Sequence, residues 1–205
     1  MKTYELFFQT LWCPEFINNK HCVLEYWKKY RFLDKILEIC SIKETSLILD
    51  VGCGISSVLH FLKGKKFGID CLMKQYKQIY SYPKNISLIS GYGEYLPFKK
   101  HVFDIIFCSN MLDHTYVPEK VIKEIKRVLK INGFFILTVE IFEKKIVRDE
   151  GHPYCFRKDD ILRLLGDKFK LIFITETKWI GLRAYTAGAR KSDKKELILI
   201  LQKKF

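Results

Sequence analysis

Asp50-Val51-Gly52-Cys53-Gly54 places an acid two residues ahead of a Gly-x-Gly turn, directly after the apolar run Leu47-Ile48-Leu49. Glycines let a backbone turn sharply and approach a ligand with no Cβ in the way. A helix N-terminus after such a turn adds unpaired N–H groups and a positive dipole end. Asp70 follows Asp50 by 20 residues and closes a second strand-like stretch. A carboxylate there can accept hydrogen bonds from both hydroxyls of an adenosine ribose. A lone Gly-x-Gly serves several nucleotide ligands, but the dinucleotide pattern needs Gly or Ala at position 57, where Ser57 stands. Two further residues carry chemistry of another kind. His114 and His152 supply imidazoles, the side-chain type suited to moving a proton, with Asp113 and Glu140 as candidate carboxylate partners.

The elements that must position these residues follow from periodicity. Residues 4–40 have helical spacing, broken by Pro14 and Asn18-Asn19 into at least two helices. Leu47–Val51 has the short apolar run of a strand buried on both faces. After it the chain alternates: a helix over Ser57–Leu62, a strand over Lys66–Ile69, a helix over Leu72–Tyr80 and a strand over Ile86–Ser90. The loop Gly91–Lys100 leads to a strand over Phe103–Ser109, a helix over Pro118–Lys130 and a strand over Phe134–Val139. Pro118 suits a first helical turn, and Asn132-Gly133 suits a stop. A helix over Lys158–Leu165 and strands over Lys170–Thr175 and Glu196–Gln202 complete the order. Alternation of this kind predicts an α/β fold with a mostly parallel sheet and helices on both faces. The last two strands lack a crossover helix between them, so one strand near the edge should be antiparallel. No linker divides the chain, so residues 1–205 read as one domain: a helical cap over 1–45, a ligand-binding core over 46–140, and a substrate-side region with the last strands over 141–205.

With these residues in place, the chain resembles the class I S-adenosylmethionine-dependent methyltransferases of the methyltransferase type 11 family. Leu49-Asp50-Val51-Gly52-Cys53-Gly54 is similar to the family's first motif, and Gly68-Ile69-Asp70 to its ribose-binding strand end. Gly91-Tyr92-Gly93-Glu94-Tyr95-Leu96-Pro97-Phe98 resembles the G-D-A-E-x-L-P-F loop beside the adenine. Phe103-Asp104-Ile105-Ile106 with Asn110-Met111-Leu112-Asp113-His114, and then Val128-Leu129-Lys130-Ile131-Asn132-Gly133, resemble the fourth strand and the R-V-L-K-P-G-G turn. The resemblance runs from about 46 to 140, nearly half the chain, with the motifs in order. It implies a Rossmann-like seven-stranded sheet and S-adenosyl-L-methionine as cofactor, leaving as S-adenosyl-L-homocysteine. It also implies cofactor contacts from Asp50, Gly52, Cys53, Gly54, Asp70, Cys71, Gly93, Glu94 and Asn110. Three positions depart from the pattern. Ser56 replaces the third glycine, Ile131-Asn132 replaces Pro-Gly, and Tyr92 stands where an acid usually meets the adenine amino group. A phenol can stack or hydrogen-bond there instead.

Methyl transfer is an in-line displacement, so positioning of the acceptor does most of the work. A hydroxyl acceptor also gains from a general base, for which His114 is the leading candidate, although such a histidine often only braces a loop. His152, in Gly151-His152-Pro153-Tyr154, would line the acceptor pocket. Tyr26, Trp27 and Tyr30 suit either a lid or aromatic core packing, and Trp179, Arg183 and Tyr185 an anionic or sugar-like acceptor. The reading is therefore transfer to a hydroxyl of a small molecule, a sugar or secondary metabolite. An RNA methyltransferase and a non-catalytic scaffold subunit are the alternatives. The net charge of +13 motivates the nucleic-acid alternative. Residues 51–100 carry eight lysines against two acids, and residues 151–205 thirteen basic residues against six acids. Against it, no N-P-P-Y-like motif follows the fourth strand. The seven cysteines form no C-x-x-C pair and no Cys/His cluster at zinc spacing, so reduced thiols and no metal site are expected. The apolar runs fall far short of the ~20 residues of a membrane span. Met1-Lys2-Thr3-Tyr4-Glu5 does not read as a signal peptide, so a cytoplasmic location is expected. No sequence feature specifies an oligomeric state.

Overall fold

The computed structural model describes residues 32–148, 150–178 and 195–205, with Leu6, Phe7, Glu25, Trp27, Lys28 and Tyr30 ahead of them. Helix α1 (Leu33–Cys40) leads to β1 (Leu47–Val51), a 3-10 turn (Val58–His60), β2 (Lys65–Asp70), α2 (Met73–Ile79) and β3 (Ile86–Ser90). Strand β4 (Phe103–Ser109) is followed by a second 3-10 turn (Leu112–His114), α3 (Pro118–Val128) and β5 (Leu129–Ile141). Helix α4 (Lys158–Leu165), β6 (Phe169–Lys178) and β7 (Lys195–Lys203) complete the described elements. They build one seven-stranded sheet in the order β3-β2-β1-β4-β5-β7-β6. Strands β1 to β5 pair in parallel, and β7 runs antiparallel to both β5 and β6. The reversed strand is thus the one next to the edge, as the sequence predicts.

Successive strand residues point to opposite faces, and that alternation builds two cores. On one face Leu49, Val51, Ile106, Phe135 and Leu137 meet Val121, Ile122 and Ile125 of α3 and Ile161 of α4. On the other, Ile48, Ile105, Phe107, Ile136 and Ile200 meet α1, α2, the first 3-10 turn and Trp27. Burying such side chains fully contributes ~1.5–3 kcal/mol each, so the central strands hold the frame on which the loops sit. Trp27 takes the core-packing role rather than an open lid.

Two expected elements are corrected. The helix expected over Ser57–Leu62 is only the turn Val58–His60, capped by Ser57 Oγ accepting from the Leu59 N–H. The chain must reverse at Gly64, whose φ of 104° suits only glycine, and too few residues remain for an α-helix. Helix α3 stops at Val128 and β5 begins at Leu129, earlier than the expected start at Phe134. The buried Lys203 Nζ donates to the carbonyls of Lys126 and Leu129, satisfying groups that a helix end leaves open. Asn132 does take the left-handed conformation, but as an irregularity within β5.

Candidate functional site

The order β2-β1-β4 places a switch point at the C-terminal end of β1, where open α/β sheets bind ligands. Gly52 and Gly54 both have positive φ, 74° and 49°, which turns the loop back across the strand ends. The N–H groups of Gly52 and Cys53 donate to the Ile69 carbonyl at 2.8 and 3.3 Å. The Gly54 N–H donates to Asp70 Oδ2 at 3.0 Å, and the Leu72 N–H to Oδ1 at 2.8 Å. The two glycines differ in surroundings. A Cβ on Gly52 would lie 2.1 Å from Met111 Cγ, whereas one on Gly54 would meet nothing within 4 Å. The first is demanded by packing, and the second opens onto free space.

Asp50 lies behind this loop and is buried. Its Oδ2 accepts from Ser57 Oγ at 2.6 Å, while Oδ1, also buried, has no hydrogen-bond partner among the described residues. Burial pushes the Asp50 carboxyl up to about 7; the Ser57 hydrogen bond opposes the rise and the nearby Asp70 charge adds to it. An uncompensated oxygen of this kind is costly unless a donor or cation meets it. The Cys53 thiol, raised by burial, packs against β2 at Gly68, so that residue offers the loop its backbone rather than its side chain. Cys71 follows Asp70, half-buried. Sequence reasoning missed Tyr82, whose hydroxyl donates to the Gly54 carbonyl at 2.9 Å. It also missed that Trp27 Nε1 donates to the Ser56 carbonyl at 2.8 Å.

The loop after β3 approaches from the other side. Gly93 has no room for a larger residue without disturbing Val51 and Met111, whose atoms lie 3.0 and 3.1 Å from where its Cβ would be. Glu94 is buried, and its Oε1 accepts from the Tyr116 N–H at 2.8 Å and the Val117 N–H at 3.3 Å. That carboxylate therefore clamps the loop to the start of α3. The Tyr92 ring lies 6.2 Å from that of Tyr116. Asn110, exposed at the end of β4 with φ of 50°, donates its N–H to the Thr138 carbonyl at 2.9 Å.

The candidate acceptor residues converge. The His114 and His152 rings lie 4.1 Å apart between centroids. Asp113 is fully buried, and Arg148 joins its Oδ2 to Glu140 Oε2, with both contacts at 2.7 Å. Arg148 also donates to the Tyr154 carbonyl at 3.1 Å, fixing the segment that carries His152. No periodic pattern marks Arg148 in the sequence. Beyond Glu140, its partner across the strands is Glu196, which accepts from Tyr30 Oη at 3.3 Å. Burial pushes Glu196 up to about 7. The spacing of cysteines and histidines predicted no metal cluster. Nevertheless, one ligating atom from each of Asp113, His114 and His152 falls within 4.8 Å of the others. Tyr26, Trp179, Arg183 and Tyr185 lie outside the described residues.

Residues 49–137 match the family described as the methyltransferase domain. An uncharacterized protein of Methanocaldococcus jannaschii is 33% identical over 116 residues, which cover 56% of this chain and 45% of that protein. Sarcosine/dimethylglycine N-methyltransferase of Aphanothece halophytica is 30% identical over 101 residues, covering 44% of this chain and 36% of that enzyme. The chain spans about half the length of the curated relatives it matches. Among solved structures, an S-adenosylmethionine-dependent methyltransferase of Methanosarcina mazei superposes with a TM-score of 0.64 at 19% identity, covering 83% of this chain and 97% of that one. The fold is therefore that of the class I methyltransferases. Among the described residues no helix is long and apolar enough to cross a membrane.

Proposed function

We propose that this chain, whose residues 49–137 match the methyltransferase domain and whose fold is that of the class I methyltransferases, binds S-adenosyl-L-methionine and methylates a small molecule at a hydroxyl. The observation that carries the reading is Asp50 Oδ1, buried without a hydrogen-bond partner among the described residues in the strand that leads into the glycine turn. An ammonium group is the partner that such a carboxylate oxygen calls for. Asp50, Gly52, Cys53 and Gly54 would hold the amino-acid end of the cofactor. Asp70 and Cys71 would face the ribose, and Tyr92, Gly93 and Glu94 would form the adenine wall, with Asn110 closing the strand end. When bound, S-adenosyl-L-methionine supplies a methyl carbon on a sulfonium and leaves as S-adenosyl-L-homocysteine.

The acceptor end is assigned to His114 and His152. His114 takes the hydroxyl proton as the new O–C bond forms, and His152 walls the pocket. Arg148, through Asp113, is a positioning residue for that pair. Calorimetry with S-adenosyl-L-methionine tests the cofactor assignment. Saturable binding at micromolar concentrations is expected, and no heat at ~1 mM, where binding is worth only about −4 kcal/mol, would overturn it. In a methyl-transfer screen of metabolite pools, His114→Ala should keep that affinity and lose turnover at least about tenfold. Unchanged turnover would remove His114 as the base.

A further inference from the structure

We propose that Asp113, His114 and His152 form a binding site for one divalent transition-metal ion of the zinc class. Two imidazoles and a carboxylate suit such ions in ligand type, being softer than the all-oxygen sets that favour magnesium or calcium. In this fold the three residues bring one ligating atom each to within 4.8 Å of the others. Ligand atoms around a tetrahedral zinc, at ~2.0–2.2 Å from the ion, stand about 3.4 Å apart. Small side-chain rotations therefore close the set.

An independent observation points to a ligand at the same place. Asp113 is fully buried, and among the described residues its Oδ1 has no hydrogen-bond partner. His114 Nε2 lies 3.9 Å from that oxygen, beyond hydrogen-bond distance. Its other oxygen is occupied by Arg148 Nη1 at 2.7 Å, which fixes the carboxylate plane and keeps Oδ1 turned away from the guanidinium. A carboxylate oriented by one partner, with imidazoles nearby, is how metal sites fix their ligands.

The backbone pre-forms half of the set. Asp113 and His114 belong to the 3-10 turn after β4, which is held by the His114 N–H on the Met111 carbonyl and by Thr115 Oγ1 on the Leu112 carbonyl. His152 comes from the segment between β5 and α4, so a bound ion would tie the two loops of the acceptor end together. Three protein ligands also leave a coordination position for water or an acceptor oxygen. Coordination and proton acceptance use the same lone pair of His114, so they are alternative states of one ring. The site itself requires neither cofactor binding nor turnover.

The test uses the whole chain, stripped with chelator and titrated with Co²⁺ and then Zn²⁺. One equivalent of Co²⁺ should produce a saturable visible absorption that Zn²⁺ displaces, and Zn²⁺ should raise the thermal midpoint. His152→Ala and Asp113→Asn should each weaken uptake at least about tenfold, while His101→Ala, at an exposed histidine outside the cluster, should leave it unchanged. His152→Gln keeps bulk and polarity and replaces His152→Ala if circular dichroism shows that variant unfolded. No saturable uptake by the wild type, or undiminished uptake without the His152 imidazole, would overturn the assignment. Because no cofactor is present in the titration, its outcome is separable from that of the methyltransferase reading.

Discussion

Asp50 concentrates the electrostatics of the cofactor side in one carboxyl. Its Oδ2 is satisfied by Ser57, its Oδ1 is not, and burial holds the group up to about 7. A ligand bearing an ammonium there must bind the ionised form. At pH below about 7 the free protein has to release a proton before it can do so. Affinity should therefore be flat just above pH 7 and weaken as pH falls, by about tenfold per unit in the limit where the bound group stays ionised. Calorimetry at pH 6.5 in buffers of different ionisation enthalpy should register proton release on binding. Asp50→Asn should weaken binding about tenfold or more and flatten the pH dependence. A wild-type affinity that does not change between pH 5.5 and 7.5 would remove Asp50 from the contact. The sequence marked this residue by its place before the glycines, but its charge state was invisible there, because it depends on Ser57 and on the depth of β1 in the sheet. Arg148 makes the opposite case: a decisive partner of Asp113 and Glu140 that lies in a stretch with no pattern at all.

At the scale of elements, the glycine turn separates packing from binding. Alanine at Gly52 would drive its methyl into Met111 and at positive φ, so a loss of several kcal/mol is expected, toward the high end for core overpacking at ~1–3 kcal/mol plus ~1–2 kcal/mol for the backbone. Alanine at Gly54 meets no atom within 4 Å and carries only the backbone cost. Gly52→Ala should thus lower the thermal midpoint sharply, while Gly54→Ala should move it by a few degrees yet weaken cofactor binding. Equal thermal losses in both would show that the space beside Gly54 is not the ligand's. The elements that present this turn were largely legible. β3, β4 and α4 have the bounds their patterns predict, because apolar runs and a clear amphipathic face set them. The turn at Val58–His60 and the early start of β5 were not, because Gly64, Asn132 and the reach of Lys203 across to α3 decide them. Nor was the meeting of His114 with His152, which are brought together by β5 and the segment after it rather than by spacing.

For the molecule as a whole, the charge excess and the buried acids pull on different observables. Eight lysines lie between residues 51 and 100, and the exposed ones bear on encounter with anions rather than on the fold. Lysines neutralising phosphates would make RNA binding strongly salt-dependent, which is the signature that would favour the nucleic-acid alternative over a small-molecule acceptor. The pH dependence of stability is set elsewhere, with Asp50 and Glu196 as the main contributors between pH 5 and 7.5. Both are raised to about 7 by burial, from 3.8 and 4.5. Between about pH 4 and 7 the folded chain therefore holds protons that the unfolded chain has lost. A group raised on folding stabilises most at low pH and loses that contribution as pH climbs to its folded value. Stability without cofactor should fall from pH 5 to pH 7.5, by on the order of 3 kcal/mol for each group, and then level off. Glu124 and Glu176 are lowered by hydrogen bonds from Arg127 and Lys158, and Asp160 first by the backbone N–H of Arg157, so they act in the opposite sense, but only near and below their ordinary range. Thermal melts across pH 5–8 should show the decline in wild type. Glu196→Gln should remove about half of it, and saturating S-adenosyl-L-methionine should suppress the Asp50 share by supplying the missing cation. A midpoint that rises steadily over that range would mean that neither acid is held protonated by the fold.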